Sequence, residues 1–159
     1  MADDFAVGRE IQTQLWPQMA SGGTPRPVNK LAPDFFTWVA ETAFGKIWSR
    51  EALPIRDRSL ITVAMLAALG KTGELRGHLM GARNVGISQD ELVEVLMQVA
   101  VYSGVPAANE ALNIAAEVFG ITIDETRRSR SEDVYRHIAS DNLLSTLAVG
   151  PPKRMCRRC

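Results

Sequence analysis

From Leu60 to Leu69 the chain carries a single polar side chain, Thr62. A helix that is apolar nearly all round must be buried on most sides. This one is too short to cross a membrane, which takes about 18 or more such residues. It therefore predicts a core helix from Ile55 to Leu69, ended by Gly70, in a body made of packed helices. Its first turn carries Arg56, Asp57 and Arg58 at a solvent or pocket edge. Thr72 is expected to cap a following helix that runs to about Asn84, with Gly86 as its stop.

The remaining segments read as helices too. Phe5, Ile11 and Leu15 recur at helical spacing over residues 3–15, and Pro17 stops them. Ser21-Gly22-Gly23-Thr24-Pro25-Arg26-Pro27 has the composition of a linker. Residues 1–27 are thus expected to form an N-terminal arm and linker, packed on the body or on a neighbouring subunit. Residues 33–48 predict a helix with Phe35, Trp38, Val39, Thr42 and Ala43 on one stripe, broken at Gly45. Ser88-Gln89-Asp90-Glu91 is a capping box, with an apolar run from Leu92 to Tyr102 behind it. Gly104 and Pro106 interrupt that run, and Pro106 suits the first turn of a last helix, Ala107 to Phe119, closed by Gly120. No stretch reads as a strand, so the expected fold class is all-α. The body is expected to span residues 28–123, with a charged tail over residues 124–159.

Charge and cysteine use narrow the function classes. Lys plus Arg and Asp plus Glu number 18 each, so net charge points to no particular partner. The tail has 8 basic and 5 acidic side chains, and from about Asp141 it has few apolar anchors, so that last part is expected to be dispensable for folding. No nucleic-acid partner is expected from it. The two cysteines, Cys156 and Cys159, both lie in that tail, which excludes a disulfide-stapled secreted scaffold. Met1-Ala2-Asp3-Asp4 lacks the basic-then-apolar order of a signal peptide, so a cytoplasmic location is expected.

The chemistry-bearing residues sit on the helix after Gly70. Glu74 and His78 are four residues apart, which puts both on one helical face. Imidazole titrates near neutrality and can give or take a proton there. A neighbouring carboxylate would orient it and favour its charged form. A surface ion pair has the same spacing. Two facts favour a site: His78 is the sole histidine in the first 136 residues, and it lies between two segments read as buried helices.

Residues 28–120 resemble the carboxymuconolactone decarboxylase family. The resemblance runs through Phe44-Gly45-Lys46-Ile47-Trp48, Leu53-Pro54, Arg58-Ser59-Leu60-Ile61-Thr62 and Glu74-Leu75-Arg76-Gly77-His78. It continues in Ala82-Arg83-Asn84-Val85-Gly86 and Tyr102-Ser103-Gly104-Val105-Pro106-Ala107-Ala108-Asn109. It implies an alkylhydroperoxidase D-like helical domain built around a helical hairpin. It also implies a homo-oligomer, a trimer or hexamer, with sites between helices near subunit contacts. The peroxidase branch of the family carries Cys-x-x-Cys-x-x-x-His on this helix. Here Lys71 and Glu74 stand at the two cysteine positions, so thiol chemistry has no nucleophile. The decarboxylase branch has Glu-Leu-x-x-His, which matches Glu74 and His78. Ser103 stands where that branch is expected to have Cys, and Leu112-Asn113 where it has a Phe-His pair.

The resemblance implies a carboxy-lyase that decarboxylates 4-carboxymuconolactone, in protocatechuate breakdown, without metal or organic cofactor. Its departing carboxylate sits on a lactone ring carbon conjugated to the carbonyl, so the ring itself is the electron sink. Such a site must hold an anion, stabilise charge on the lactone oxygen and supply a proton. His78 is then the proton donor and Glu74 its orienting partner. Arg58, with Arg56, holds a carboxylate through two-point guanidinium contacts. Trp48 and Tyr102 wall the pocket. The alternatives are a family member acting on another carboxylated lactone or keto acid, and an oligomeric binding protein that keeps the fold without turnover.

Overall fold

Local signals in the chain fix most helix ends of the computed structural model, which describes residues 3–21 and 27–122. Gly70 and Gly86 take φ of 63° and 85°, a backbone that other residues adopt at a penalty, and each ends the helix before it. The elements are α1 (Asp4–Leu15), a short 3-10 turn (Pro17–Ser21), α2 (Pro27–Leu31) and α3 (Phe35–Val39). Then come α4 (Ile55–Ala68), α5 (Thr72–Asn84), α6 (Gln89–Ser103) and α7 (Val105–Val118). No strand occurs among the described residues, and the fold is all-α. None of these helices is long and apolar enough to cross a membrane. The chain divides after Ile121. The tail, including Cys156 and Cys159, lies outside the described residues apart from Thr122.

The capping box at Ser88 forms as read. The Glu91 amide donates to Ser88 Oγ at 3.1 Å, and the Ser88 amide donates to Glu91 Oε2 at 2.9 Å. Pro106 lies in the first turn of α7. Thr72, by contrast, is the first helical residue of α5; Lys71 occupies the cap and makes no side-chain capping bond.

Helices α4 to α7 bury one continuous core that includes Val63, Ala67, Leu75, Leu79, Leu92, Leu96, Ala111 and Ile114. The burial expected all round α4 is not found. Ser59, Val63 and Ala67 are buried, whereas Ile61, Met65 and Leu69 are 45%, 50% and 68% exposed. The reason is topological: α5, α6 and α7 pack against α4 and leave the opposite side as an open apolar groove shared with Val95, Val99 and Tyr102 of α6.

A second core cluster holds Ile11, Leu15 and Phe44, with Trp16 and Trp48 packed against it. It forms where α1 crosses the helical turns that prolong α3. Those turns, Ala40–Trp48, are π-helical, so their bonds reach five residues back, as from the Ser49 amide to the Phe44 carbonyl at 3.1 Å. Gly45 does not break this helix. It permits contact: a Cβ there would overlap the Asp4 carbonyl, and a Cβ on Gly8 would overlap the Ala40 carbonyl. The two backbones therefore touch at a pair of glycines, and the N-terminal segment packs on its own chain.

Candidate active site

Helix α5 presents Leu75, Leu79 and Ala82 to the core and turns His78 toward α1 and the π-helical stretch. The His78 ring lies 5.1 Å from the Trp16 ring, edge-on at 80°, and 6.3 Å from the Trp48 ring, tilted at 40°. Phe44 closes the group, 5.8 Å from Trp16 and 5.2 Å from Trp48. Trp16 itself is tied down, its indole N–H donating to the Gly77 carbonyl at 2.8 Å. The Asn84 side-chain amide donates to the Leu15 carbonyl at 2.7 Å, so the end of α1 is fastened to α5 twice.

In this aromatic setting His78 Nδ1 is buried and, among the described residues, has no hydrogen-bond partner. Burial pushes the imidazole down from its ordinary 6.5 to about 4, and the charge of Glu74 opposes that only in part. The imidazolium expected at neutral pH is therefore not the form that these surroundings favour. The sequence supplies the carboxylate at the right spacing, but the indoles remove water, and here desolvation outweighs attraction. Glu74 is exposed and acts on His78 through its charge rather than through a bond to Nδ1.

This depression is linked to stability. As pH falls, the unfolded chain protonates its imidazole first, near 6.5, while the folded protein resists until about 4. The contribution of His78 is present in full above 6.5 and is lost progressively between 6.5 and about 4. At 1.36 kcal/mol per pH unit it amounts to about 3 kcal/mol. Urea unfolding at a series of pH values should show a steeper acid loss in the wild type than in His78→Gln by about that amount. Parallel curves would show that His78 is not held neutral.

The arginines serve the frame around this site. Arg58 donates from Nε to the Leu53 carbonyl and from Nη2 to the Arg50 carbonyl, both at 3.0 Å, and so secures the loop that leaves Trp48. Arg56 pairs with Glu91 of the capping box and lies 4.0 Å from Asp57. The Glu91 carboxyl is held below its usual range by the Ser88 amide first and by Arg56 next. Tyr102 is 81% exposed in the α4–α6 groove. The structure thus brings together His78, Glu74 and Trp48, with Arg58 bracing the loop after Trp48. Within this chain it brings neither Arg56 nor Tyr102 to His78. Trp16 and Phe44 were not singled out in the sequence. Nothing local marks Trp16 as a neighbour of a histidine 62 positions later. Among the described residues no cluster of three or more His, Cys, Asp or Glu side chains converges to hold a metal.

Known proteins were compared with this chain. The sequence pattern of the carboxymuconolactone decarboxylase family matches residues 33–117. Over 115 residues the chain is 38% identical to a 4-carboxymuconolactone decarboxylase of Acinetobacter baylyi, covering 72% of this chain and 86% of that protein. It is 30% identical over 95 residues to the nitrosuccinic acid decarboxylase npaB of Metarhizium robertsii, covering 60% of this chain and 66% of that one. A 15.0 kDa protein from the nqo9-nqo10 intergenic region of Paracoccus denitrificans is 32% identical over 128 residues and matched along 96% of its length. The matched region contains π-helical turns, hairpin and His78 alike, and by it the chain belongs to the carboxymuconolactone decarboxylase family.

Proposed function

We propose that the protein decarboxylates 4-carboxymuconolactone to the 3-oxoadipate enol-lactone, a step of protocatechuate breakdown, with His78 as the hydrogen-bond donor to the developing anion. The observation that carries this reading is His78 itself. It matches the histidine of the Glu-Leu-x-x-His pattern, and it lies against indoles with its inner nitrogen dry. Loss of carbon dioxide leaves a dienolate whose charge collects on the lactone oxygen. A dry pocket strengthens any hydrogen bond made to that oxygen. The outer nitrogen, Nε2, offers that bond and keeps its hydrogen, and the proton that ends on carbon comes from solvent. Glu74, exposed one turn away, acts on the ring through its charge, and Arg58 supplies positive charge for the substrate carboxylate.

The similarity to a nitrosuccinic acid decarboxylase supports a second reading, a different acid with the same electronics. In nitrosuccinate the departing carboxylate sits on the carbon that bears the nitro group, so its loss also leaves an anion spread onto oxygen. Both acids, moreover, retain a second carboxylate on the adjacent carbon. Turnover of 4-carboxymuconolactone at low micromolar enzyme is the expected result. Turnover of nitrosuccinate or another carboxylated lactone alone would move the assignment to that acid, and no turnover of any would leave a binding protein.

The homo-oligomer is likewise a proposal, a trimer or a hexamer built from trimers. Its support is the groove between α4 and α6, where Ile61, Met65 and Tyr102 are 45%, 50% and 81% exposed in the single chain. Apolar surface of this kind is normally covered. Light scattering should give three or six chains per particle across micromolar concentrations, and a monomer would remove this proposal.

A further inference from the structure

We infer that Trp16 is a positioning residue for His78, selecting which ring nitrogen carries the hydrogen. The inference rests on the reading of His78 as the acting group. Its argument begins with the peptide that bears the imidazole. The indole N–H of Trp16 donates to the carbonyl of Gly77, the residue immediately before His78. The indole and the imidazole are therefore referred to the same turn of α5. Gly81, one turn on, makes room: a Cβ there would stand 3.1 Å from the indole nitrogen.

The contact with the imidazole follows from that anchor. The Trp16 ring stands edge-on to His78 at 5.1 Å, Trp48 flanks it at 6.3 Å, and Phe44 backs both indoles. The inner nitrogen, Nδ1, is buried and makes no hydrogen bond with any of the described residues. In a neutral imidazole one nitrogen bears hydrogen and the other a lone pair. A buried N–H left without a partner is rarer and more costly than an unpaired acceptor. Nδ1 therefore holds the lone pair, and the hydrogen sits on Nε2, the nitrogen that is not sealed. A polar side chain at position 16 able to accept from Nδ1 would invert this choice and point the lone pair at the substrate. Among the groups around the ring, Glu74 on α5 is the charged one that bears on it; α1 and the π-helical stretch supply indoles and Phe44. Trp16 thus couples the N-terminal helix to the protonation state of a residue on α5.

Imidazole NMR reads this directly, because the chain has two histidines, and His137→Gln assigns the other. Nitrogen-15 shifts in the wild type should show Nδ1 unprotonated, Nε2 protonated and a titration midpoint well below 6.5. Trp16→Phe keeps a ring edge and should preserve the tautomer. Trp16→Ala admits water to Nδ1, so it should mix the tautomers and move the midpoint up toward 6.5. Its kcat should fall up to about 100-fold, the scale of a small misplacement in a site, with KM changed less. Its rate should also become pH-dependent between pH 5 and 7, where the wild type is flat. Trp16→Leu stands in if the alanine variant fails to fold. A wild-type His78 protonated on Nδ1 overturns the inference. So does a folded Trp16→Ala or Trp16→Leu with unchanged tautomer and midpoint, or a midpoint that drops, since the indole would then be stabilising the imidazolium. These signals need no substrate. An enzyme inactive on every acid tried, yet showing them, would lose its proposed function and keep this role for Trp16.

Discussion

His78→Ala should lower the catalytic rate by about 100- to 10,000-fold, the range that a positioned acid or base typically supplies. The loss should appear in kcat rather than in KM if the imidazole acts on the developing anion. His78→Gln, which nearly fills the space between the indoles, separates chemistry from packing and should lose as much. Glu74→Gln should lose less, since an exposed carboxylate influences the ring through charge alone. The double variant should be no worse than His78→Ala, because residues that act as one unit do not add. Wild-type activity should hold as pH rises through 7, since His78 is already neutral there and keeps its Nε2 hydrogen. A surface pair would give nearly unchanged turnover and at most about 1 kcal/mol of stability. A folded His78→Gln enzyme with wild-type kcat would remove His78 from the proposed mechanism.

The second large effect is expected at the glycine contact. Gly45→Val should destabilise the protein by about 3 kcal/mol or more, at the upper end of overpacking penalties. The atom in the way is the Asp4 carbonyl, which belongs to a helix backbone and cannot swing aside like a side chain. Gly8→Val meets the Ala40 carbonyl in the same manner. Relief requires α1 to withdraw, which uncovers Ile11 and Leu15 and lifts Trp16 from His78. Denaturant midpoints and the His78 titration should therefore change together. Gly73→Ala is the control. A Cβ there meets nothing within 4 Å, so this change should be neutral or stabilising by up to about 1 kcal/mol. Unaltered stability in both valine variants would show that α1 does not pack in this way.

What the sequence made legible was what neighbours along the chain decide. The stops at Gly70 and Gly86, the Ser88 box and the proline of α7 are local devices, and each acts where the spacing puts it. The spacing of Glu74 and His78 was equally readable. Their protonation was not, because it depends on indoles from positions 16 and 48, brought up by the crossing of α1 over the π-helical turns. Arg56 illustrates the same limit. A guanidinium at the start of an apolar helix reads as a carboxylate binder, and it binds one, but the carboxylate is Glu91, 35 residues on. The burial of α4 failed for a related reason: composition says that a face is apolar, not whether the same chain covers it.

The two bonds that fasten α1 to α5 join residues 61 and 69 apart in sequence, whereas the helices from α4 onward are joined by short turns. Closing a long loop has to be met by chain entropy before its contacts reward it, so the four later helices can assemble early and the N-terminal helix last. Until that closure the imidazole stands in water and behaves as an ordinary histidine. Competence then arrives in time after shape: a refolding chain regains its helices, as circular dichroism would record, before it regains a histidine fit for catalysis.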